Sequence, residues 1–228
     1  MVRTFFADAE RGGEALEERS VAKVGRGASI AVAVETMLFA ATIIVGKVVR
    51  SGLGPMAYAD CILLAASIVV MMAAVCLRAP DGRRSFGLLA LSAAIIYAPF
   101  CMGVYFVQIA VVARNPLAFT PEALMLITFI PGSPMFALDM LGYAFLCLST
   151  LAAAFTFSDP RDRALRILCI IHGFLALPTL AAPILSGVFS SPNGRPNDIS
   201  AWVLLSWCAI FTPIPLFLAK LFHREYNV

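Results

Sequence analysis

Charge is what this chain lacks. Of its 228 residues only 14% are Asp, Glu, Lys or Arg, whereas 61% are apolar; soluble domains carry about 25% and about 45–50% respectively. So little polar surface cannot clothe a water-soluble sphere of this size. The mean hydropathy of +0.88 equally excludes a disordered chain. Histidine is scarce, at two residues, and the six cysteines show no C-x-x-C spacing. The usual signatures of zinc, haem and thiol redox sites are therefore missing, and the cysteines read as small apolar filler. No lysine lies mid-way along an apolar run, so a retinal-type Schiff base has no anchor. Phosphate-cradling glycine loops, H-E-x-x-H, G-x-S-x-G and nucleic-acid signatures do not occur. No metal or cofactor is expected, nucleic acid is not an expected partner, and the lipid bilayer is the expected solvent.

What is there is a set of long apolar runs. A helix needs about 20 such residues to cross the hydrocarbon, and six stretches qualify: 28–49, 56–77, 86–112, 135–157, 165–189 and 200–222. No ten-residue alternation recurs, which excludes a transmembrane barrel. The expected fold is an all-α integral membrane protein with six transmembrane helices. Residues 27–223 form one membrane domain, flanked by polar tails at 1–26 and 224–228. Gly54-Pro55, Ser133-Pro134 and Ser158-Asp159-Pro160 place helix-start chemistry before spans 2, 4 and 5. The first 26 residues carry both charge signs and read as a solvated tail, with a short polar helix from Glu14 to Val24. They are not a secretory signal, because the first apolar run starts late, contains Glu35 and lacks a cleavage pattern. No segment outside the spans is long enough to fold alone, so any chemistry belongs in or at the bilayer.

Basic residues set orientation, since cytoplasmic loops are enriched in Lys and Arg. With the N-terminal tail inside, 13 of the 17 basic residues fall on the inner side and 4 on the outer: Lys47, Arg50, Arg114 and Arg195. Both termini are expected in the cytoplasm and the protein in the plasma (inner) membrane. The segment 113–134 stands apart from the other connections. Thr120-Pro121-Glu122 opens an apolar run from Ala123 to Ile130, which Pro131-Gly132 closes. It is too short to cross, and is expected to be an interfacial or re-entrant helix, either lying flat or covering a cavity.

A shift of 79 residues aligns two hairpins without a gap. Pro55-Met56 falls on Pro134-Met135, Asp60 on Asp139, Arg84 on Arg163, Leu89 on Leu168 and Pro99 on Pro178. Spans 2–3 and 4–5 then read as parallel copies, an arrangement found in transporters. Prolines sit mid-way along three spans, at Pro99, at Pro178 with Pro183, and at Pro213 with Pro215. Each is expected to kink its helix and free a carbonyl.

Ionisable groups inside a bilayer are costly and mark candidate sites. An outer layer holds Asp60 and Asp139, each five residues into its helix and so roughly 7–8 Å below the interface. Gln108 and Tyr105 on span 3 and Tyr143 on span 4 lie at similar depth, with Lys47 in reach and Asp198 just above. Together they could bind a cation or an amine, or pass a proton; a carboxylate near a helix N-terminus is also favoured by the helix dipole alone. An inner layer holds Glu35 and His172, whose equal depths allow a hydrogen bond across the bundle. His172, Thr179 and Ser186 form a polar stripe on span 5, while Ser29, Glu35, Thr36 and Thr42 form a looser one on span 1. Hydroxyls of this kind ordinarily serve interhelical hydrogen bonds.

Three functions fit. The first is a transporter or channel-like carrier for a small solute, cationic or proton-coupled. Its small size makes a homodimer the expected form. The second is a non-catalytic membrane subunit that binds a partner's helices or lipid through small-residue faces such as Ala152–Ala154. The third, a membrane-embedded enzyme on a lipid or quinone, would use Glu35 and His172 as an acid–base pair.

Overall fold

The computed structural model describes residues 2–49, 54–114, 118–185 and 198–226, with side chains at 16–46, 48, 54–114, 118–185 and 202–226. All elements in these residues are helical, and six helices or helix pairs are long and apolar enough to cross a membrane. Helix α1, Val2–Val49, is one continuous rod. The polar tail expected at 1–26 is therefore helical from residue 2 and runs straight into span 1. The first 49 residues contain no proline, so no backbone N–H is missing where the hydropathy changes, and the helix runs on through Gly25 and Gly27.

Helix α2 spans Pro55–Arg78, with extended Gly54 as N-cap and proline at the first helical position. It ends where Pro80 forces Ala79 into an extended conformation, ψ 130°. A 3₁₀ turn at Asp81–Arg83 leads into α3, Arg84–Val107. Beyond α3 the chain widens into a π-helical turn, Gln108–Val112, in which the Ala113 N–H donates to the Gln108 carbonyl at 2.9 Å. Helix α4 is short, Pro121–Ile127, and is capped by the Thr120 hydroxyl. Gly132 then turns with φ 88°, a left-handed conformation that a side chain disfavours. Ser133 caps α5, Pro134–Ala154, by accepting from the Phe136 N–H at 3.1 Å. A second 3₁₀ turn, Pro160–Asp162, precedes α6, Arg163–Phe174, and α7, Ala176–Ile184. Span 6 comprises α8, Asp198–Phe211, and α9, Pro213–Tyr226.

The prolines act unequally. Pro99 lies inside α3, which continues past it. Span 5 does divide, at Leu175 between α6 and α7, where Pro178 has no N–H for the Phe174 carbonyl. Span 6 divides at Thr212, whose N–H and hydroxyl both turn back to the Cys208 carbonyl, at 2.9 and 2.7 Å.

The helices pack in chain order, α1 on α2, α2 on α3, α3 on α5 and α5 on α6 and α7, while α9 returns to α1. Contact between span 5 and span 6 is slighter. Small residues bring the backbones close: Ala65, Ala90, Ala94 and Ala152–Ala154 are all buried. Large apolar side chains such as Ile44, Leu63, Leu88, Phe106 and Leu177 point outward, as lipid contact requires.

Some local features recur at the 79-residue offset, at the helix starts and the turns between helices. Pro55 and Pro134 each open a helix, and Asp81–Arg83 and Pro160–Asp162 are each a 3₁₀ turn before a helix starting on arginine. The same bond closes both turns, Arg83 N–H to the Pro80 carbonyl at 2.7 Å and Asp162 N–H to the Asp159 carbonyl at 2.9 Å.

At this end of the bundle a charge cluster ties three elements together. Buried Asp162 receives Arg224 from α9 and lies 3.7 Å from Arg78 of α2, which also bonds Glu225 at 2.6 Å. Arg83 donates to the Phe155 and Phe157 carbonyls beyond α5, at 3.0 and 3.4 Å, satisfying acceptors that the helix end leaves open.

Candidate functional site

The opposite half of the bundle holds the expected aspartate layer, and Asp139 is its centre. Asp139 is 1% exposed, one and a half turns into α5. Its Oδ2 accepts from the Tyr105 hydroxyl at 3.0 Å, and that hydroxyl is 3.4 Å from the Tyr143 hydroxyl. Oδ1 is buried and has no hydrogen-bond partner among the described residues. Aromatic faces surround the group: Tyr58 stacks on Tyr105 at 5.7 Å, and Tyr97 tilts against Tyr143 at 5.7 Å. A buried carboxylate with one orphaned oxygen, ringed by phenols, is a site that a proton or a small cation would satisfy.

Gln108 reaches this layer in a different role. Its Nε2 donates to the Ile127 carbonyl at 2.8 Å, and its Oε1 accepts from the Phe129 N–H at 2.9 Å. Both ends of the amide thus clasp the C-terminal end of α4 and the chain that follows it, and the π-turn that begins at Gln108 presents it there. Phe129 in turn lies edge-on to Tyr105 at 5.8 Å. The 121–131 segment is therefore pinned over the tyrosines beside Asp139, on the surface of the bundle.

Asp60 does not join Asp139. It is half-buried on the α1–α2 seam, within electrostatic reach of Glu35. Glu35 accepts from the Ser67 hydroxyl at 3.0 Å, and Ser67 lies two turns below Asp60 on α2. One oxygen of each carboxylate, Oε2 of Glu35 and Oδ2 of Asp60, is buried and unpartnered among the described residues. Glu35 and Asp60 thus share the α1–α2 seam while remaining about two helical turns apart in height. Buried Cys61 lies within electrostatic reach of both Asp60 and Asp139.

Nor does Glu35 pair with His172. His172 is fully buried, with Nδ1 2.7 Å from the Thr150 hydroxyl. The same hydroxyl lies 2.9 Å from the Cys147 carbonyl, so its single hydrogen serves either that carbonyl or Nδ1. Nε2 has no partner among the described residues. The ring packs against Trp207 at 5.7 Å and Phe211 at 5.0 Å. The acid–base pair on which a lipid- or quinone-directed enzyme would rely is not assembled. The span 1 hydroxyls turn onto their own helix, Ser29 to Gly25, Thr36 to Val32 and Thr42 to Phe39, each at 2.7 Å, whereas Thr179 meets the Cys147 thiol across the α5–α7 seam.

Trp207 links the two regions. It meets Tyr143 edge-on at 5.0 Å and Phe211 face-on at 4.9 Å, so an aromatic file runs from Phe129 through Tyr105, Tyr143 and Trp207 to His172. Sequence reasoning placed Asp139, Tyr105 and Tyr143 together but missed Tyr58, Ser67, Phe129, Thr150 and Trp207. Their types carry no signal of their own in apolar sequence, and only helix rotation selects them. The side chains of Lys47, Ser186 and Asp198 lie outside the described residues. Compared with protein-family models, curated proteins and solved structures, the chain matches none.

Proposed function

We propose that this chain is a small-solute membrane transporter in which Asp139 binds and releases a proton or another monovalent cation. The observation that carries this reading is the Asp139 carboxyl itself: wholly buried, held by Tyr105 on one oxygen and orphaned on the other. A structural aspartate at this depth would be stabilised by satisfying both oxygens. The clasp of Gln108 on the 121–131 segment supports a cover over the same layer, and the half-buried Asp60–Glu35 seam supports a second acidic station. The shared 79-residue offset of the hairpin turns supports a duplicated core, spans 2–3 and 4–5. The distribution of basic residues supports both termini in the cytoplasm and insertion in the plasma (inner) membrane.

The test is reconstitution into liposomes loaded with a pH-sensitive dye, challenged with a panel of alkali cations and primary amines under an imposed pH gradient. Wild type moves protons in response to one chemical class of the panel, and Asp139→Asn does not. A wild type silent across the panel, or an Asp139→Asn variant that responds like wild type, overturns the reading.

A further inference from the structure

The seam between α1 and α9 carries a feature that the aspartate layer does not use. Two clefts, of about 400 and about 380 Å³, share Arg26 and Ile30 in their linings. The first is lined by Arg26, Lys220 and His223 above Ile30, Leu216 and Phe217; Lys23 and Tyr226 line the second. The basic groups stand where the hydrophobic stretches 28–49 and 200–222 end, and the apolar ones lie about a turn deeper. Ile30, Leu216 and Phe217 are 45%, 49% and 40% exposed, so this wall faces outward, toward lipid.

Neither cleft has an acidic residue in its lining. Among the described residues Lys23, Arg26 and Lys220 enter no ion pair, whereas neighbouring Arg78 and Arg224 are committed to Asp162 and Glu225. The seam is also shaped closely. The Phe222 ring lies against Gly25, where an added Cβ would stand 2.7 Å from ring carbons. This draws the two helices together and sets Arg26 beside Lys220.

We propose that this seam is a binding site for an anionic phospholipid. Arg26 and Lys220 take the headgroup phosphate, and an acyl chain lies along Ile30, Leu216 and Phe217. Cation pairs at the headgroup level over an apolar wall between helices match an anionic lipid in both parts, charge outside and hydrocarbon within. A zwitterionic lipid offers the same chains, but its ammonium cancels the gain from two cations. A free phosphate would use the cations and leave the wall without effect.

The experiment is native mass spectrometry of the detergent-purified protein, titrated with phosphatidylglycerol, with phosphatidylcholine of the same chains, and with inorganic phosphate. Wild type retains phosphatidylglycerol about tenfold more strongly than phosphatidylcholine and does not retain phosphate. Arg26→Gln/Lys220→Gln loses that preference, and the charge-preserving Arg26→Lys/Lys220→Arg keeps it. Arg163→Gln/Arg166→Gln removes the same charge from exposed positions at the start of α6 and also keeps it. Equal loss in the two glutamine pairs would reduce the effect to general surface charge and overturn the site. So would the absence of headgroup preference in wild type, retention of phosphate alone, or failure of the lysine–arginine exchange to preserve binding.

Discussion

The Tyr105 hydroxyl donates to Oδ2 of Asp139 at 3.0 Å across the α3–α5 seam, and both groups are at most 2% exposed. This bond satisfies one oxygen of a carboxyl whose other oxygen has no partner among the described residues, so the two residues should separate stability from function. Tyr105→Phe strands the carboxyl and is expected to cost about 1–3 kcal/mol, the usual penalty for a buried polar group losing its partner. Asp139→Asn keeps a carbonyl oxygen for the tyrosine and should unfold near the wild-type temperature. Thermal unfolding in detergent micelles, run beside the transport assay, checks both. A Tyr105→Phe variant as stable as wild type would mean that the bond contributes nothing.

Gln108 fastens the 121–131 segment through two backbone groups, the Ile127 carbonyl and the Phe129 N–H. Gln108→Leu removes both bonds at nearly the same volume. Hydrogen exchange at Phe129 should then become faster, while amides in the middle of α5 stay as protected as before. Gln108→Glu retains an acceptor for the Phe129 N–H and should give an intermediate result. Uniform acceleration across α5 as well would point to global destabilisation and count against a local clasp.

Asp162 is 5% exposed and is the anion shared by Arg78 and Arg224, whose exposures are 21% and 46%. Asp162→Ala should lower stability by about 1–3 kcal/mol, because charge-assisted bonds are lost while the freed arginines can still reach water. Asp159→Ala, nearby but exposed, should do far less. Equal effects of the two substitutions would show that the cluster's burial is immaterial.

These three cases also mark where sequence is readable. Hydropathy located all six spans because the cost of polar groups in hydrocarbon is large and additive along a helix. The caps at Gly54 and Ser133 were readable because each is local, a small residue before a proline. Partners across the bundle were not. Glu35 looked to His172 by depth, yet it bonds Ser67, because depth fixes height but not rotation. In helices apolar on all sides the periodic signal that orients a face is nearly flat. Small-residue packing then decides the rotation, and with it which polar groups meet. The Asp162 cluster was hidden for a related reason: its three elements are far apart in sequence, and basic residues at helix ends are equally explained by orientation.

Asp159 lies outside the spans, and the backbone N–H of Arg161, donating at 2.8 Å, holds its carboxyl below the usual range. A folded-state value below the unfolded one makes the stabilising contribution complete above about pH 4. It is lost as the pH falls below that through the folded value. The stability difference between wild type and Asp159→Asn should therefore be present at neutral pH and vanish in acid. Unfolding midpoints measured from pH 7 to pH 3 would show this narrowing. A gap that widens on acidification would contradict the sign.

Two glycines with opposite surroundings test whether close backbone approach holds the bundle. At Gly173 on α6 an added Cβ would stand 2.5 Å from the Leu151 Cβ and 3.1 Å from its Cα. Backbone atoms cannot swing aside, so Gly173→Ala must push α6 away from α5. At Gly103 on α3 nothing lies within 4 Å, and alanine there adds helix preference worth about 0.5–1 kcal/mol. Gly173→Ala should therefore lower the unfolding temperature, and Gly103→Ala should leave it unchanged or raise it. Displacement of α6 also moves His172, next to Gly173, relative to Thr150. Loss of the Thr150 bond should appear as altered His172 ring resonances in Gly173→Ala and not in Gly103→Ala. If both alanine variants behaved alike, the α5–α6 contact would be loose enough to absorb a methyl group, and close packing at Gly173 would not be what positions the histidine.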